Sequence, residues 1–315
     1  MQTILVFGAT GDQGHSLVRQ LVAGGYKVRA ATRDPAQFPA HFPAADFRAV
    51  DFRAVDFRAV QAVAADFADQ ASLDAAALGA DGIVMHLPFT FDRDYAVSMG
   101  RGIALAAKRA KLKRIVFHTS CVVMDEDLGL AGHDARRDIE RELLASGVSC
   151  VFIRSSVFMD NIVRVWAKPS IVNHGIFAYA CKPDLRVSWV CQDDIAAYMI
   201  AAYELDKPAP HYLVGGPETL VGAEVAERLS TATGRTVTFR SLHPDEFAGA
   251  MSKLVTGDAH FEPGSLYDRI AEFYRWYNAQ PVSPLAVDLR PVLSVLAVRP
   301  TPMLVWAQQQ DWTKI

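Results

Sequence analysis

Three glycines at a spacing of three, Gly8, Gly11 and Gly14, follow directly on the apolar run Ile4-Leu5-Val6-Phe7. Leu17, Val18, Leu21 and Val22 then recur at helical spacing up to Gly24-Gly25. The pattern reads as strand, tight turn and helix. A glycine turn that opens a helix offers close backbone approach and free N–H groups, and the positive end of the helix faces the same point. The chemistry it suits is the binding of a pyrophosphate. A glycine triplet alone could occupy any strand-to-helix turn. This one lies between a first strand and a helix, with a second strand over Lys27 to Thr32 next, which is the context a dinucleotide site requires.

Arg33 and Asp34 stand at the end of that second strand. An acid near this position takes the ribose hydroxyls of NAD, whereas an arginine accommodates the 2′-phosphate of NADP. Arg33 therefore favours NADP(H). The alternative is a solvated Arg33 with Asp34 on the ribose.

The elements that must position these residues alternate along the chain. A third strand is predicted over Gln61 to Asp66 and a fourth over Gly82 to His86, followed by a helix from about Asp94 to Ala110. A fifth strand, Lys113 to His118, leads through Thr119-Ser120 to a helix from about His133 to Ala145. A sixth strand covers Cys150 to Arg154. Strands alternating with helices at this spacing give a parallel sheet covered on both faces, with ligands beyond the carboxyl ends of its strands. That rim would hold Gly8 to Gly14, Arg33, Asp66-Phe67, His86-Leu87-Pro88 and Thr119-Ser120. The fold expected is α/β, a doubly wound parallel sheet of Rossmann type with a smaller, mostly C-terminal α+β substrate domain. Residues 1–155 would form the dinucleotide-binding domain, with 190–214 returning to it. Residues 156–189 and 215–315 would form the smaller one.

Composition narrows the function classes. The chain has 315 residues, 51% of them hydrophobic, and a formal net charge of -3, which leaves no electrostatic footprint for direct nucleic-acid binding. No apolar run is long enough to span a bilayer, and the N-terminus enters a strand without a basic region or cleavage site, so a cytoplasmic protein with no membrane partner is expected. Cys121, Cys150, Cys181 and Cys191 show no C-x-x-C spacing and no paired histidines. They read as reduced, mostly buried thiols, with no metal site.

One segment stands outside the pattern. Asp46-Phe47-Arg48-Ala49-Val50 is repeated as residues 51–55 and 56–60. Its apolar positions keep to no single helix or strand face, so it reads as a tandem duplication ahead of the third strand rather than a core element. Three copies are too few to bury a core by stacking.

Several pieces together resemble the NmrA-like group of atypical short-chain dehydrogenases, which includes isoflavone-reductase-like enzymes and triphenylmethane reductase. They are Phe7-Gly8-Ala9-Thr10-Gly11-Asp12-Gln13-Gly14, Val28 to Pro35, Ala65-Asp66-Phe67, Ala145-Ser146-Gly147-Val148, and Arg154 to Asn161 with its Phe158-Met159-Asp160-Asn161 stretch. The resemblance covers nearly the whole chain. It implies an NADP(H) site with Gly8, Thr10, Gly11, Asp12, Gln13 and Gly14 at the pyrophosphate, Arg33 at the 2′-phosphate and Asp66-Phe67 beside the adenine. His86, Leu87 and Pro88 would lie along the nicotinamide ribose. From the residues themselves, the apolar segment around Phe158 to Trp166, with Phe158 and Asn161 as substrate contacts, and the aromatic-rich C-terminal region could form a closed acceptor pocket.

The chain also departs from that group. Eleven residues before Gly147, where the group's reductases commonly carry an active-site Lys, stands Arg136, and four residues earlier, where conventional short-chain dehydrogenases carry Tyr, stands Gly132. Arg136 cannot act as a general acid at neutral pH but can hold a ribose hydroxyl or stabilise an oxyanion. A replacement donor could be His133, Ser120 or His118, of which His133 has the suitable unperturbed pKa. The alternatives are a solvent-exposed His133 at the helix start and a satisfied core His118.

Two functions follow from these residues. One is an NADPH-dependent reductase passing hydride to a small apolar or aromatic acceptor of quinone, enone, imine or dye type. The other is a non-catalytic NADP(H) sensor that binds a protein partner; either is compatible with a homodimer. A sugar-nucleotide epimerase would need the missing Tyr. Deleting residues 51–60 joins the first repeat copy to Gln61 and should leave the thermal midpoint and NADPH affinity close to those of the full chain. A large loss of either shows that the repeat packs on the core.

Overall fold

The structure, a computed structural model, describes residues 1–38 and 59–313, so all of the repeat but Ala59 and Val60 lies outside the described residues. The strands are β1 (Thr3–Val6), β2 (Lys27–Thr32), β3 (Val60–Ala64), β4 (Gly82–His86), β5 (Arg114–His118), β6 (Ser149–Ser155), β7 (Ile176–Tyr179), β8 (His211–Val214) and β9 (Thr238–Ser241). Seven of them form one sheet in the order β3-β2-β1-β4-β5-β6-β8, and β7 pairs with β9 in a second, parallel sheet. In the larger sheet β1 lies between β2 and β4 with parallel pairing to both, Ile4 standing opposite Val28 on one side and Gly82 on the other. The chain therefore reverses its winding direction beside β1. Crevices at such switch points are where doubly wound sheets bind ligands.

β4 and β5 are buried along their whole length, as expected of strands covered on both faces. Leu5, Ile83, Ile115, Phe117 and Phe152 join Leu73, Met99, Ile103 and Ile139 in one apolar core. The first helix, α1 (Asp12–Ala23), buries Gly14, Leu17, Val18, Leu21 and Val22 and stops at Gly24. The helix Arg93–Arg109 is capped by Asp92, whose carboxylate accepts the Tyr95 N–H at 3.0 Å. Lys108 and Arg109 oppose the negative end of its dipole. Among the described residues, no helix is long and apolar enough to cross a membrane.

The helix Ala131–Ala145 is strongly polar yet buries Asp134, Arg136, Arg137, Asp138 and Glu140. Most of these charges are paired. Arg93 holds Asp138 through Nε at 2.6 Å and Nη2 at 3.1 Å, and Arg154 holds Glu140 at 3.1 and 2.7 Å. Asp134 accepts the Leu128 N–H at 3.0 Å, while Arg137 donates to the Glu126 carbonyl and pairs with Asp127. The segment after β5 is thus tied down by charge as well as by the burial of Val122, Val123 and Leu130.

By contacts, the chain divides into two compact units: Met1–Arg154 with Ile195–Tyr212 and Leu296–Val298, and Ser155–Asp194 with Leu213–Val295 and Arg299–Ile315. Within the second, Tyr179 packs against Trp189, Phe247 and Tyr274 with ring centroids 5.1 to 5.6 Å apart. The helix Lys168–His174 and β7 after it were not expected from the sequence. The four-residue run Ile176–Tyr179 is too short to show a period, and its partner β9 lies about sixty residues on. All four cysteines are buried and free.

The first turn depends on contact distances that only glycine allows. A Cβ at Gly14 would lie 2.0 Å from the Gly8 carbonyl oxygen and 2.7 Å from Ala9 Cα, whereas one at Gly11 would meet only the Gly8 oxygen, at 3.5 Å. Gly14→Ala should therefore cost about 1–3 kcal/mol and lower the thermal midpoint by several degrees, and Gly11→Ala should leave it nearly unchanged. Equal midpoints for the two variants would show that the turn relaxes and that contact does not set its sequence.

Candidate functional site

A cavity of about 860 Å³ opens at the carboxyl ends of β1, β2 and β3, within the range of cofactor clefts. Of the residues expected at the site, Gly8, Thr10, Arg33, Asp66, Phe67 and Pro88 line it. Gly8 has φ +73, and a Cβ there would lie 2.6 Å from the His86 carbonyl oxygen. The backbone can pass between β4 and the cavity only as glycine. Gly11 precedes the helix as its cap and Asp12 is the acid of its first turn, while Gly14 is buried beneath Gly8. Sequence reasoning missed Gln37 and Tyr95 on the cavity wall. Tyr95 carried one signal, an aromatic residue in the first turn of the helix that follows β4.

The end of β2 distinguishes its two charges. Asp34 accepts the Ala36 N–H at 3.0 Å on one carboxylate oxygen and the Gln37 amide at 2.8 Å on the other. Both oxygens serve the turn. Arg33 is exposed on the cavity wall and has no ion-pair partner among the described residues. Phe67 is held against Phe7 with centroids 5.6 Å apart, and the Asp66 N–H donates to Ser72 Oγ at 2.9 Å. These bonds present a flat apolar ring beside a fixed loop, which suits a stacked base.

Gln13 is placed differently from expectation. Its amide oxygen lies 2.9 Å from His118 Nδ1 and accepts the Ser120 hydroxyl at 3.2 Å. It is thereby turned toward the end of β5. An amide oxygen only accepts, so with the Gln13 oxygen turned this way the network assigns the His118 proton to Nδ1. His86 Nδ1, 3.1 Å from His118 Nδ1, is then the bare nitrogen, and the network assigns the His86 proton to Nε2. Ser120 adopts φ +62, a left-handed conformation uncommon outside glycine, and its hydroxyl is committed to Gln13.

His133 is neither exposed nor of ordinary basicity, and both expectations are corrected. Burial, with the Arg136 charge second, pushes its pKa down to about 4. The same two causes lower His86 to about 3. His118 is held well below the usual range by burial, His86 and Arg136. All three imidazoles are neutral at pH 7. Arg136 itself is fully buried rather than set on an open rim, and its Nη2 donates to the Leu87 carbonyl at 3.1 Å. Burial brings its pKa down to about 10, so it keeps its charge at neutral pH. His86 and Leu87 are likewise buried, which leaves Pro88 as the part of that stretch on the cavity wall.

Phe158 and Asn161 belong to the second unit. Phe158 precedes the short 3-10 turn Met159–Val163, and the Asn161 amide donates to the Tyr179 hydroxyl at 3.3 Å, itself 2.9 Å from the Tyr274 hydroxyl.

A family model described as the NmrA-like family matches residues 1–283. The chain belongs to the NmrA-like family. This NmrA-like chain is 30% identical over 274 residues to the NAD(P)H azoreductase of Xenophilus azovorans, covering 86% of each protein. It is 24% identical over 281 residues to quinone oxidoreductase 2 of Escherichia coli, covering 84% of this chain and 90% of that protein. A solved structure of the NADPH-dependent quinone oxidoreductase from Escherichia coli, complexed with NADPH, matches with a TM-score of 0.74 at 21% identity over 96% of this chain and 98% of that one. NmrA, a negative transcriptional regulator, shares the fold with a TM-score of 0.71 at 16% identity, over 99% of both chains.

Neutral buried histidines tie stability to pH. In the unfolded chain these imidazoles regain the ordinary value of 6.5, so below it the unfolded state binds more protons than the folded one. The stabilisation is complete above 6.5 and is lost as pH falls toward 4 and 3. Denaturant titrations should show stability declining through this window by up to about 1.4 kcal/mol per pH unit for each histidine involved. His133→Gln should flatten the decline. An unchanged slope in that variant would place His133 outside the buried cluster.

Proposed function

We propose that the protein is an NADPH-dependent reductase that passes hydride to a small apolar or aromatic acceptor, of quinone, enone, imine or dye type. The observation that carries the cofactor half is the end of β2. The one acid there is consumed by its own turn, while Arg33 stands on the cavity wall with no ion-pair partner among the described residues. Arg33 would hold the 2′-phosphate, the turn from Gly8 to Gly14 the pyrophosphate, and Asp66 with Phe67 the adenine. NADPH, when bound, supplies a hydrogen with two electrons and leaves as NADP⁺.

The chain's own groups support an acceptor that needs little help with its proton. Arg136 keeps its proton, His133 is neutral and the Ser120 hydroxyl is engaged with Gln13. The reductases of azo and quinone compounds among the relatives fit this reading, because hydride transfer to such acceptors leaves a delocalised anion that water can protonate. Gly132 and Arg136 in place of a Tyr-x-x-x-Lys acid also support a second reading, a dinucleotide-sensing regulator with a protein partner.

NADPH consumption with a panel of quinones and azo dyes decides between the two. Turnover supports the reductase, and tight NADPH binding with no turnover across the panel supports the sensor. For the cofactor, Arg33→Ala should weaken NADPH binding by roughly 1.5–3 kcal/mol, the loss of a charge-assisted pair, and leave NADH nearly untouched. Equal weakening of both dinucleotides would overturn the assignment of Arg33.

A further inference from the structure

Arg136 differs from every other buried charge on its helix. Arg137, Asp134, Asp138 and Glu140 all have ionic partners, whereas Arg136 forms no ion pair among the described residues. Its neighbours in charge are the imidazoles of His86, His118 and His133 and the Cys121 thiol, which burial pushes up to about 12. All are neutral at pH 7. One guanidinium nitrogen donates to Leu87, but Nε and Nη1 are buried and unpartnered, and so is His86 Nε2. A buried cation without an anion is costly to desolvate, and unsatisfied donors add to that cost. Two vacant donors on a buried cation describe a receptor for a negatively charged oxygen.

Two aromatic rings also approach the guanidinium. Phe117 of β5, fully buried, has its centroid 5.8 Å away, and Phe89 has its centroid 4.6 Å away. Both contacts have the geometry of cation–π stacking. Phe89, though, is 39% exposed and sits in irregular backbone between β4 and the helix Arg93–Arg109, directly after Pro88 of the cavity wall. Of the two rings at the guanidinium, Phe89 is the one that reaches the surface.

We propose that Phe89 occupies the place of an aromatic acceptor, and that the acceptor displaces it, stacks on Arg136 and lays its oxygen against Nε and Nη1. The inference rests on the reductase reading and narrows its substrate class to planar aromatics whose oxygen carries negative charge, or gains it when hydride arrives. Phe89 is then the residue that sets access, and Arg136 the one that sets the preference for an anion.

The test uses the full chain without NADPH, titrated calorimetrically with 2-naphthoate and with uncharged 2-naphthamide. The wild type should prefer the carboxylate, and Arg136→Met should lose about tenfold or more in affinity for it while keeping its affinity for the amide. Arg136→Lys should restore part of the preference. Phe89→Ala should bind both probes more tightly, and Phe89→Trp less tightly. If Arg136 only props up the Leu87 carbonyl, Arg136→Met lowers the thermal midpoint without changing the ratio of the two affinities, which overturns the proposal. Should Arg136→Met fail to fold, the Phe89 variants decide it: unchanged affinity for both probes in both variants overturns it equally. Quinone reduction by NADPH is measured separately on the wild type. Turnover without the carboxylate preference sinks this inference and leaves the reductase standing, whereas the preference without turnover sinks the reductase, and with it the acceptor role, and leaves only an aromatic anion site at Arg136.

Discussion

Backbone touching backbone at the first turn is the constraint that the rest of the larger unit obeys. Gly8 passes against the end of β4 in a left-handed conformation, and Gly14 brings the first turn of α1 onto the carbonyl of Gly8. A side chain at either position would push helix and strand apart. Because they meet, the positive end of α1 faces the crevice beside β1, and the ends of β2 and β3 complete its walls. The cavity is a consequence of that contact and of the reversal in strand order, more than of the residues that line it.

A second constraint is electrostatic. The helix Ala131–Ala145 carries charge into the interior, where Asp138 meets Arg93, Glu140 meets Arg154, Arg137 meets Asp127, and Asp134 meets Arg137 of the same helix. Such pairs add little net stability, since desolvation offsets their attraction, but breaking one leaves a buried charge exposed to its full cost. Their effect is to fix the course of the chain after β5, where Thr119 and Ser120 end the strand. Against this background of matched charges, Arg136 stands out because it forms no ion pair among the described residues.

The unmatched cation has its own consequences. Together with burial it holds three imidazoles neutral, so the cluster behind Gln13 offers hydrogen-bond donors and acceptors but no imidazolium acid. A site of that kind can orient a reactant and stabilise negative charge in a low dielectric, and both tasks serve hydride transfer. It cannot serve chemistry that demands a strong acid from histidine at neutral pH.

Much of this was legible in the sequence. The strand-turn-helix at Gly8 to Gly14, the alternation of elements, the family and the wall residues Arg33, Asp66 and Phe67 follow from local patterns, because glycine spacing, apolar period and strand ends are properties of neighbours along the chain. The position of Arg136 was also countable, as eleven residues before Gly147. Tertiary structure alone decided what these residues face. That Asp34 is spent on its own turn, that Gln13 looks toward β5, and that His133 is a buried neutral base all depend on groups brought in from other elements. The pairing of β7 with β9 did so too. Burial and charge are set by everything packed around a side chain, and a pattern read along one strand or helix carries no record of what the fold will lay across it.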